Sequence, residues 1–340
     1  MADWYKDAGL KDDIVLSTRV RLARNISGIP FPSKMTGEDA KKVIDKVENA
    51  LNRLGIEFKK YELGNMSKSE KECLVEAHYI SPDMTRGTLP KAVFISDDKS
   101  VSIMVNEEDH IRMQSLYAGF ESEKAADIIN KIDMYLANEL EYAIHPKYGY
   151  LTSCLTNVGT GLRVSYMMHL PGIVSANIAD SLFDTIRKLG ATVRGMYGEG
   201  SKAEGYLFQI SNQITIGKSE TEIYNNLNNI VNQIISKERE IRTAMHKSDP
   251  VATEDRVMRS YGILTNARLM STGEMLKLVS NVRFGISLGI TDIKPSVLSQ
   301  IIIETSPAHI SGGKEMSAKM RDEKRAEYIR KKLTSPAEEK

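Results

Sequence analysis

Only two cysteines, Cys73 and Cys154, occur in the 340 residues. That is too few for a disulfide framework, and no Cys/His set has the spacing of a zinc site. An excess of either charge is missing as well: 46 basic residues stand against 45 acidic ones. No global field demands DNA, RNA or an anionic membrane, so local arginine clusters must carry any phosphate argument. There is no apolar run long enough to span a bilayer, and the opening MADWYKDAGLKDD lacks a basic-then-apolar leader. These absences set the expectation of a reducing, cytoplasmic protein with no membrane or direct nucleic-acid partner and no protein-built metal site. A chain this long buries a substantial core, and its length predicts two domains or one large domain with an appendage.

What the sequence does carry is concentrated at Ser100–Arg112. Val101, Ile103 and Val105 alternate with Ser102 and Met104, the period-two pattern of a half-buried strand. The alternation stops at Asn106, and Glu107, Glu108, Asp109, His110 and Arg112 follow. Acids this close raise one another's pKa unless a cation or hydrogen-bond donors compensate them. A solvated turn with an acidic helix N-terminus is the plain alternative. Upstream, residues 17–25 read STRVRLARN, and in extended backbone Arg19 and Arg21 share one face while Val20 and Leu22 share the other. Paired guanidiniums suit phosphate oxygens, a polyphosphate above all, although a surface salt-bridge pair would also account for them.

Around these stretches the pattern alternates between helix and strand. Thr36 with Asp39 gives a capping-box spacing ahead of a helix over 36–54, with Val43, Ile44, Val47, Leu51 and Leu54 as its stripe. Strands are expected at 92–95 and 101–105, too close for a crossover helix and therefore antiparallel. A helix over 119–141 follows. In CLTNVGTGLR at 154–163 the glycines suggest close backbone approach, and Thr160–Met168 is expected to begin a helix whose free amides attract phosphate. After a helix at 176–189 and a strand at 191–194, the glycine-rich 194–205 describes a mobile loop able to close over a ligand. Residues 206–210 and 213–216 read as a hairpin. From Ser219 the pattern turns helical, at 220–245, 253–261, 273–281 and 296–303. The expected architecture is α+β: an antiparallel β-sheet flanked by helices over 1–218, then a helical C-terminal domain over 219–340.

Five arginines beside strand or loop ends, Arg19, Arg21, Arg112, Arg163 and Arg194, and two acids, Glu108 and Glu199, make phosphoryl transfer a candidate. That chemistry needs positioning and charge cancellation more than covalent help. Spacing alone does not identify the acceptor. STRVRLARN, VNEEDHIR, CLTNVGTGLR and RGMYGEG, in this order between residues 17 and 200, closely resemble motifs of the ATP:guanidino phosphotransferases, the creatine and arginine kinases. The resemblance implies MgATP as phosphoryl donor and a guanidino acceptor. Residue by residue, it makes Arg19, Arg21, Arg112, Arg163 and Arg194 the phosphate clamp. It makes Glu108 the carboxylate that grips the guanidinium and serves as base, Glu199 its partner on the closing loop, and Cys154 the reactive cysteine beside the guanidino group. A thiolate there would be favoured by nearby cations, and a small buried core cysteine is the alternative.

Two departures qualify the match. Eighteen residues precede Arg19, where the small-molecule kinases carry a helical domain with a substrate-closing loop; an acceptor side open to protein-borne arginine is expected. Met167 also stands where those kinases often have a histidine near the base. Within the family the arrangement is similar to the members that phosphorylate arginine in proteins. In those, RDEKRA at 321–326 resembles a phosphoarginine-binding segment with roles in allostery and dimer assembly. Arg321 and Arg325, one helical turn apart, would clamp the phosphate and Asp322 would pair with the guanidinium; an exposed charged helix is the alternative. The resemblance further implies a homodimer, a stress-response repressor among the substrates, a zinc-binding activator protein and an unfoldase–protease for modified proteins. A kinase of a free guanidino metabolite and a non-catalytic phosphoarginine-binding adaptor are the competing functions.

Overall fold

The computed structural model describes residues 3–195 and 204–334. Its strands are β1 (Val15–Arg24), β2 (Phe58–Glu62), β3 (Ala92–Ser96), β4 (Val101–Val105), β5 (Ile111–Ala118), the two-residue pair β6 (Ile144–His145) and β7 (Gly149–Tyr150), β8 (Leu162–His169), β9 (Ala191–Gly195) and β10 (Leu207–Asn212). Eight of them form one sheet in the order β2-β3-β4-β5-β1-β8-β10-β9. Each pairing in it is antiparallel. The helices are α1 (Gly37–Leu51), α2 (Lys68–Glu76), α3 (Ser122–Glu139), α4 (Pro171–Ser175), α5 (Ala179–Lys188), α6 (Glu220–Ser248), α7 (Pro250–Asn266), α8 (Thr272–Ile286), α9 (Pro295–Glu304), α10 (Pro307–Ser311) and α11 (Ala318–Thr334). The α+β expectation therefore holds, and so does the antiparallel β3–β4 hairpin. Thr36 caps α1 with a complete box: its hydroxyl accepts from the Asp39 amide, and the Asp39 carboxylate accepts from the Thr36 amide.

Alternation divides the sheet into two unlike faces. Val20, Leu22, Ile103, Ile111, Met113, Val164, Tyr166 and Ile210 point to one side and pack beneath α1, α3, α5 and α6. On the other side Met104, Leu116 and Leu207 pack against Met275, Leu276, Leu298 and Ile302 of α8 and α9. That second layer stops short, and the arginines occupy what it leaves uncovered.

Two expectations are corrected. Residues 160–168 do not begin a helix: Leu162, Val164, Tyr166 and Met168 are buried while Arg163 and Met167 are half-buried, the alternation of a strand. Residues 213–216 make no hairpin with 206–210, because β10 already pairs with β8 on one edge and β9 on the other. Helix α6 packs with the core of the sheet through Ile223, Leu227, Ile230, Val231 and Ile234.

A buried polar cluster joins the C-terminal helices to the sheet. Glu238 and Arg242 of α6 form an ion pair of 2.7 Å with side chains 0% and 1% exposed. The Glu238 carboxylate also accepts from the amides of Gly172 and Ile173 at the start of α4. Arg242 donates to the His169 carbonyl and ring, and His169 meets Ser280 of α8 at 2.7 Å. Each charge is thus surrounded by polar partners, which is the condition for burying it. Replacing Glu238 with Ala strands Arg242, and a loss of about 3–5 kcal/mol is expected in urea unfolding.

Burial holds the pKa of His110 and His169 below the usual value, with Arg242 and Arg283 adding to the effect at His169. The unfolded chain protonates both below about pH 6.5 while the native state keeps them neutral. Their contribution is fully present above that pH and is lost progressively as pH falls below it. The urea midpoint should drop between pH 7 and 5, and less so in His169→Asn.

Candidate active site

The arginine side chains meet because of register. Arg21 of β1 stands opposite Arg163 of β8, and Arg112 of β5 stands opposite Ala23. Arg194 of β9 is paired with Gln209 of β10, whose side-chain oxygen accepts from Arg19 Nη2 at 2.8 Å. Paired positions share a face of the sheet, so strands from distant parts of the chain aim their guanidiniums into one cleft of about 620 Å³. Arg19, Arg21, Arg112, Arg163 and Arg194 all line it, together with Glu108 and Cys154. The chain after α2 and Ser306 after α9 form the opposing wall.

These cations are held against their own repulsion. Burial, then Arg112 and Arg163, brings Arg19 down to about 10. Arg21 is pushed well down by burial and by Arg19, Arg112 and Arg163, and its Nε is buried without a hydrogen-bond partner. Arg163 is lowered by burial and by Arg194 and Arg112, against the opposing pull of Cys154 and Glu108. A polyanion entering here supplies acceptors and relieves that repulsion.

The turn at 106–110 sorts its acids into different duties. Asn106 adopts a left-handed φ of 63° and donates to the carbonyls of Ala40 and Pro90. Glu107 is buried; it accepts from Ser81 and from Arg112, and Arg112 helps to hold its carboxyl below the usual value against the cost of burial. Asp109 accepts from Asn25 Nδ2 and from the Ser153 amide, each at 2.7 Å. His110 accepts at Nδ1 from the Ile26 amide, and its own amide donates to Asn25 Oδ1. Glu108 alone is exposed among these. Burial of its carboxyl, Asp109 and Glu107 raise its pKa, with Arg112 opposing. Glu108 and Asp109 both border the cleft, and of the two Glu108 is the exposed one, with a raised proton affinity.

The remaining sequence candidates divide. Cys154 is half-buried at the cleft wall, its Sγ 3.0 Å from Thr156 Oγ1. Gly159 and Gly161 serve close packing: a Cβ on Gly161, at φ +65°, would lie 2.6 Å from the Ala23 carbonyl oxygen. Glu199 lies outside the described residues. Arg321, Asp322 and Arg325 are away from the cleft, on α11. Arg325 is 1% exposed, with Nε donating to the Thr305 carbonyl and Nη1 to the Met270 carbonyl and to Asp322. Arg321 donates to the Met316 carbonyl. Arg325 thus ties segments of the helical region together, and its pairing with Asp322 engages two of the three groups expected to meet a ligand.

Sequence reasoning missed His78, Ser81, Gln209 and Ser306 as cleft residues. The only local sign at His78 is its left-handed φ of 63°, which no spacing announces. An apolar recess lined by Trp4, Leu116, Met167 and Ile302 adjoins the cleft and shares Arg19, His78 and Gln209 with it.

Residues 42–241 match the family model described as ATP:guanido phosphotransferase, C-terminal catalytic domain. The chain belongs to that family. Residues 250–340 match a second model, the protein-arginine kinase McsB C-terminal domain. Similar proteins named protein-arginine kinase include one from Caldanaerobacter subterraneus subsp. tengcongensis, 43% identical over 94% of this chain and 97% of that protein. Another, from Bacillus subtilis, is 42% identical over 98% of this chain and 93% of that protein. Among solved structures, lombricine kinase aligns with a TM-score of 0.60 at 25% identity over 68% of each chain. The duplicated taurocyamine kinase of Schistosoma mansoni aligns with a TM-score of 0.60 at 27% identity, over 66% of this chain and 33% of that one. This phosphotransferase thus falls among the protein-arginine kinases of its family.

The Glu108 turn hangs on Asn25, which bonds both Asp109 and the His110 amide. Asn25→Ala leaves these buried groups short of partners, at about 1–3 kcal/mol each. Both a lower thermal midpoint and a drop in phosphoryl-transfer rate larger than that of a surface Asn→Ala control are expected.

Proposed function

We propose that this enzyme transfers the γ-phosphoryl group of ATP to arginine side chains of proteins, giving N-phosphoarginine and ADP. The observation that carries the reading is the convergence of Arg19, Arg21, Arg112, Arg163, Arg194 and Glu108 on one cleft. In this reading the arginines hold the polyphosphate and cancel charge developing on it. A guanidinium has a pKa above about 12 and no lone pair to offer until a proton leaves. Glu108 grips the substrate guanidinium and takes that proton as the nitrogen attacks the γ-phosphorus in line. The bond to the bridging oxygen breaks, and its electrons leave with ADP. Glu199 is assigned the second grip on the guanidinium, and Cys154 borders the acceptor side.

Among the described residues no group of three or more His, Cys, Asp or Glu is arranged to hold a metal. Mg2+ accordingly enters with the nucleotide, held mainly by phosphate oxygens and water, as is usual for this ion. When bound it neutralises and orients the phosphates.

The finer assignments belong to the same reading. The division between the catalytic unit, 1–218, and the helical C-terminal unit, 219–340, belongs to this reading. The α11 segment Arg321, Asp322 and Arg325 takes phosphoarginine once the Asp322–Arg325 pair opens, and communicates with the cleft and with a second subunit. A stress-response repressor is among the substrates, modified proteins pass to an unfoldase–protease, and a zinc-binding activator protein assists. The setting is cytoplasmic; among the described residues no helix is long and apolar enough to cross a membrane.

Glu108→Ala should abolish protein-arginine phosphorylation while ATP affinity stays within about twofold, since its loss removes the base and not the clamp. Normal turnover by this variant, measured by mass spectrometry without acid treatment, would remove Glu108 from the mechanism. Arg163→Ala is expected to weaken ATP binding at least tenfold, about 1.4 kcal/mol, in an isothermal titration. Offering free arginine beside an unfolded arginine-bearing protein separates the two acceptor classes: strong turnover of the free amino acid would favour a metabolite kinase.

A further inference from the structure

Leu155 follows Cys154 at the edge of the cleft, and its side chain is 85% exposed. Its backbone is nevertheless fastened. It opens a single helical turn, Leu155–Asn157, in which the Asn157 amide donates to the Cys154 carbonyl. The Thr215 hydroxyl lies 2.9 and 2.7 Å from the carbonyl oxygens of Thr156 and Val158. Tyr150 and Gly159 exchange backbone hydrogen bonds, which brings the β6–β7 pair alongside with Ile144 and Tyr148 exposed. Gly159 also abuts Ile216, half of whose side-chain surface is open to water. Leu155 thus stands on a stitched piece of backbone between the cleft residues Cys154 and Thr156, and the segments bonded to that piece carry three more exposed apolar side chains, Ile144, Tyr148 and Ile216.

We infer that Leu155 is a shelf for a large apolar side chain adjacent to the target arginine in an extended polypeptide. The inference rests on the reading that the acceptor is arginine within a polypeptide. Its occupant follows from continuity with the cleft. An arginine that reaches Glu108 leaves its own backbone at the cleft mouth. An extended chain advances about 3.3–3.6 Å per residue, so the next one or two residues lie over the rim that carries Leu155. The fastened turn presents the leucine without an ordering cost on binding. The substrate class is therefore arginine flanked by Leu, Ile or Phe, a sequence that folded proteins bury and unfolded chains display.

The test uses two single-arginine peptides, one with leucines on both sides of the arginine and one with serines, phosphorylated at saturating MgATP by the full chain. With the wild-type protein kcat/KM for the leucine-flanked peptide should exceed that for the serine-flanked one by about fivefold or more. Leu155→Ser should bring the ratio within twofold while leaving the serine-flanked peptide unchanged, and Leu155→Met should retain the preference. A wild-type ratio near one, or a preference that survives Leu155→Ser, would overturn the shelf. So would a Leu155→Ser variant that keeps the preference but changes the mass seen by light scattering, because the face would then join copies of this chain. Phosphoarginine on neither peptide with the wild-type protein would instead count against the protein-arginine reading.

Discussion

Repulsion among guanidiniums on one face of an antiparallel sheet is the constraint around which this molecule is arranged. Arg19, Arg21, Arg112, Arg163 and Arg194 come from four strands, β1, β5, β8 and β9, and cannot retreat, because their neighbours on the opposite face are locked in the core under α1, α3 and α6. The strained protonation of Arg19, Arg21 and Arg163 records that confinement. Protein partners offset only part of it: Glu107 serves Arg112, and Gln209 serves Arg19. Folding thus prepares the electrostatic environment that a polyphosphate completes, and little reorganisation is left for the moment of transfer.

The acidic turn answers the opposite problem, how to keep a carboxylate unpaired beside so many cations. Two of its three acids are neutralised locally, Glu107 by Arg112 and Ser81, Asp109 by Asn25 and the Ser153 amide. Their residual charge reaches Glu108 through space and raises its pKa, against the pull of Arg112. A group poised in this way accepts a proton more readily than an ordinary glutamate, which suits it to work on a strongly basic guanidinium. The neighbouring acids are therefore part of the tuning although both are buried.

Much of this was legible along the chain because it is local. The alternation of Val101–Val105, the shared face of Arg19 and Arg21 and the box formed by Thr36 and Asp39 are short-range patterns with a direct physical reading. What stayed hidden depends on contacts across the fold. The glycines before Arg163 looked like the opening of a helix, whereas their freedom is needed where Gly161 meets Ala23 and Gly159 meets Thr215. The division of labour among Glu107, Glu108 and Asp109 is set by Ser81, Asn25 and Ser153, each remote in sequence. Arg325, which by spacing looked like half of a clamp, bonds the carbonyls of Thr305 and Met270, and only the packing of α11 against α7 and α9 reveals it.

The C-terminal helices matter to the site by subtraction. The face of the sheet that carries the arginines also carries Met104, Leu116 and Leu207, and these would be an exposed apolar patch without Met275, Leu276, Leu298 and Ile302 over them. Covering that half leaves the charged half open as the arginine-lined cleft. The same helices reach the cleft wall directly. Arg325 holds the Thr305 carbonyl, the next residue, Ser306, lines the cleft, and the Glu76 carboxylate at the cleft accepts from the Ala308 and His309 amides of α10. A cleft bounded by backbone from both ends of the chain is rigid only while the two halves stay docked. The buried Glu238–Arg242–His169 cluster, which ties α6 and α8 to the end of β8, is therefore as much a condition of the active-site geometry as the arginines themselves.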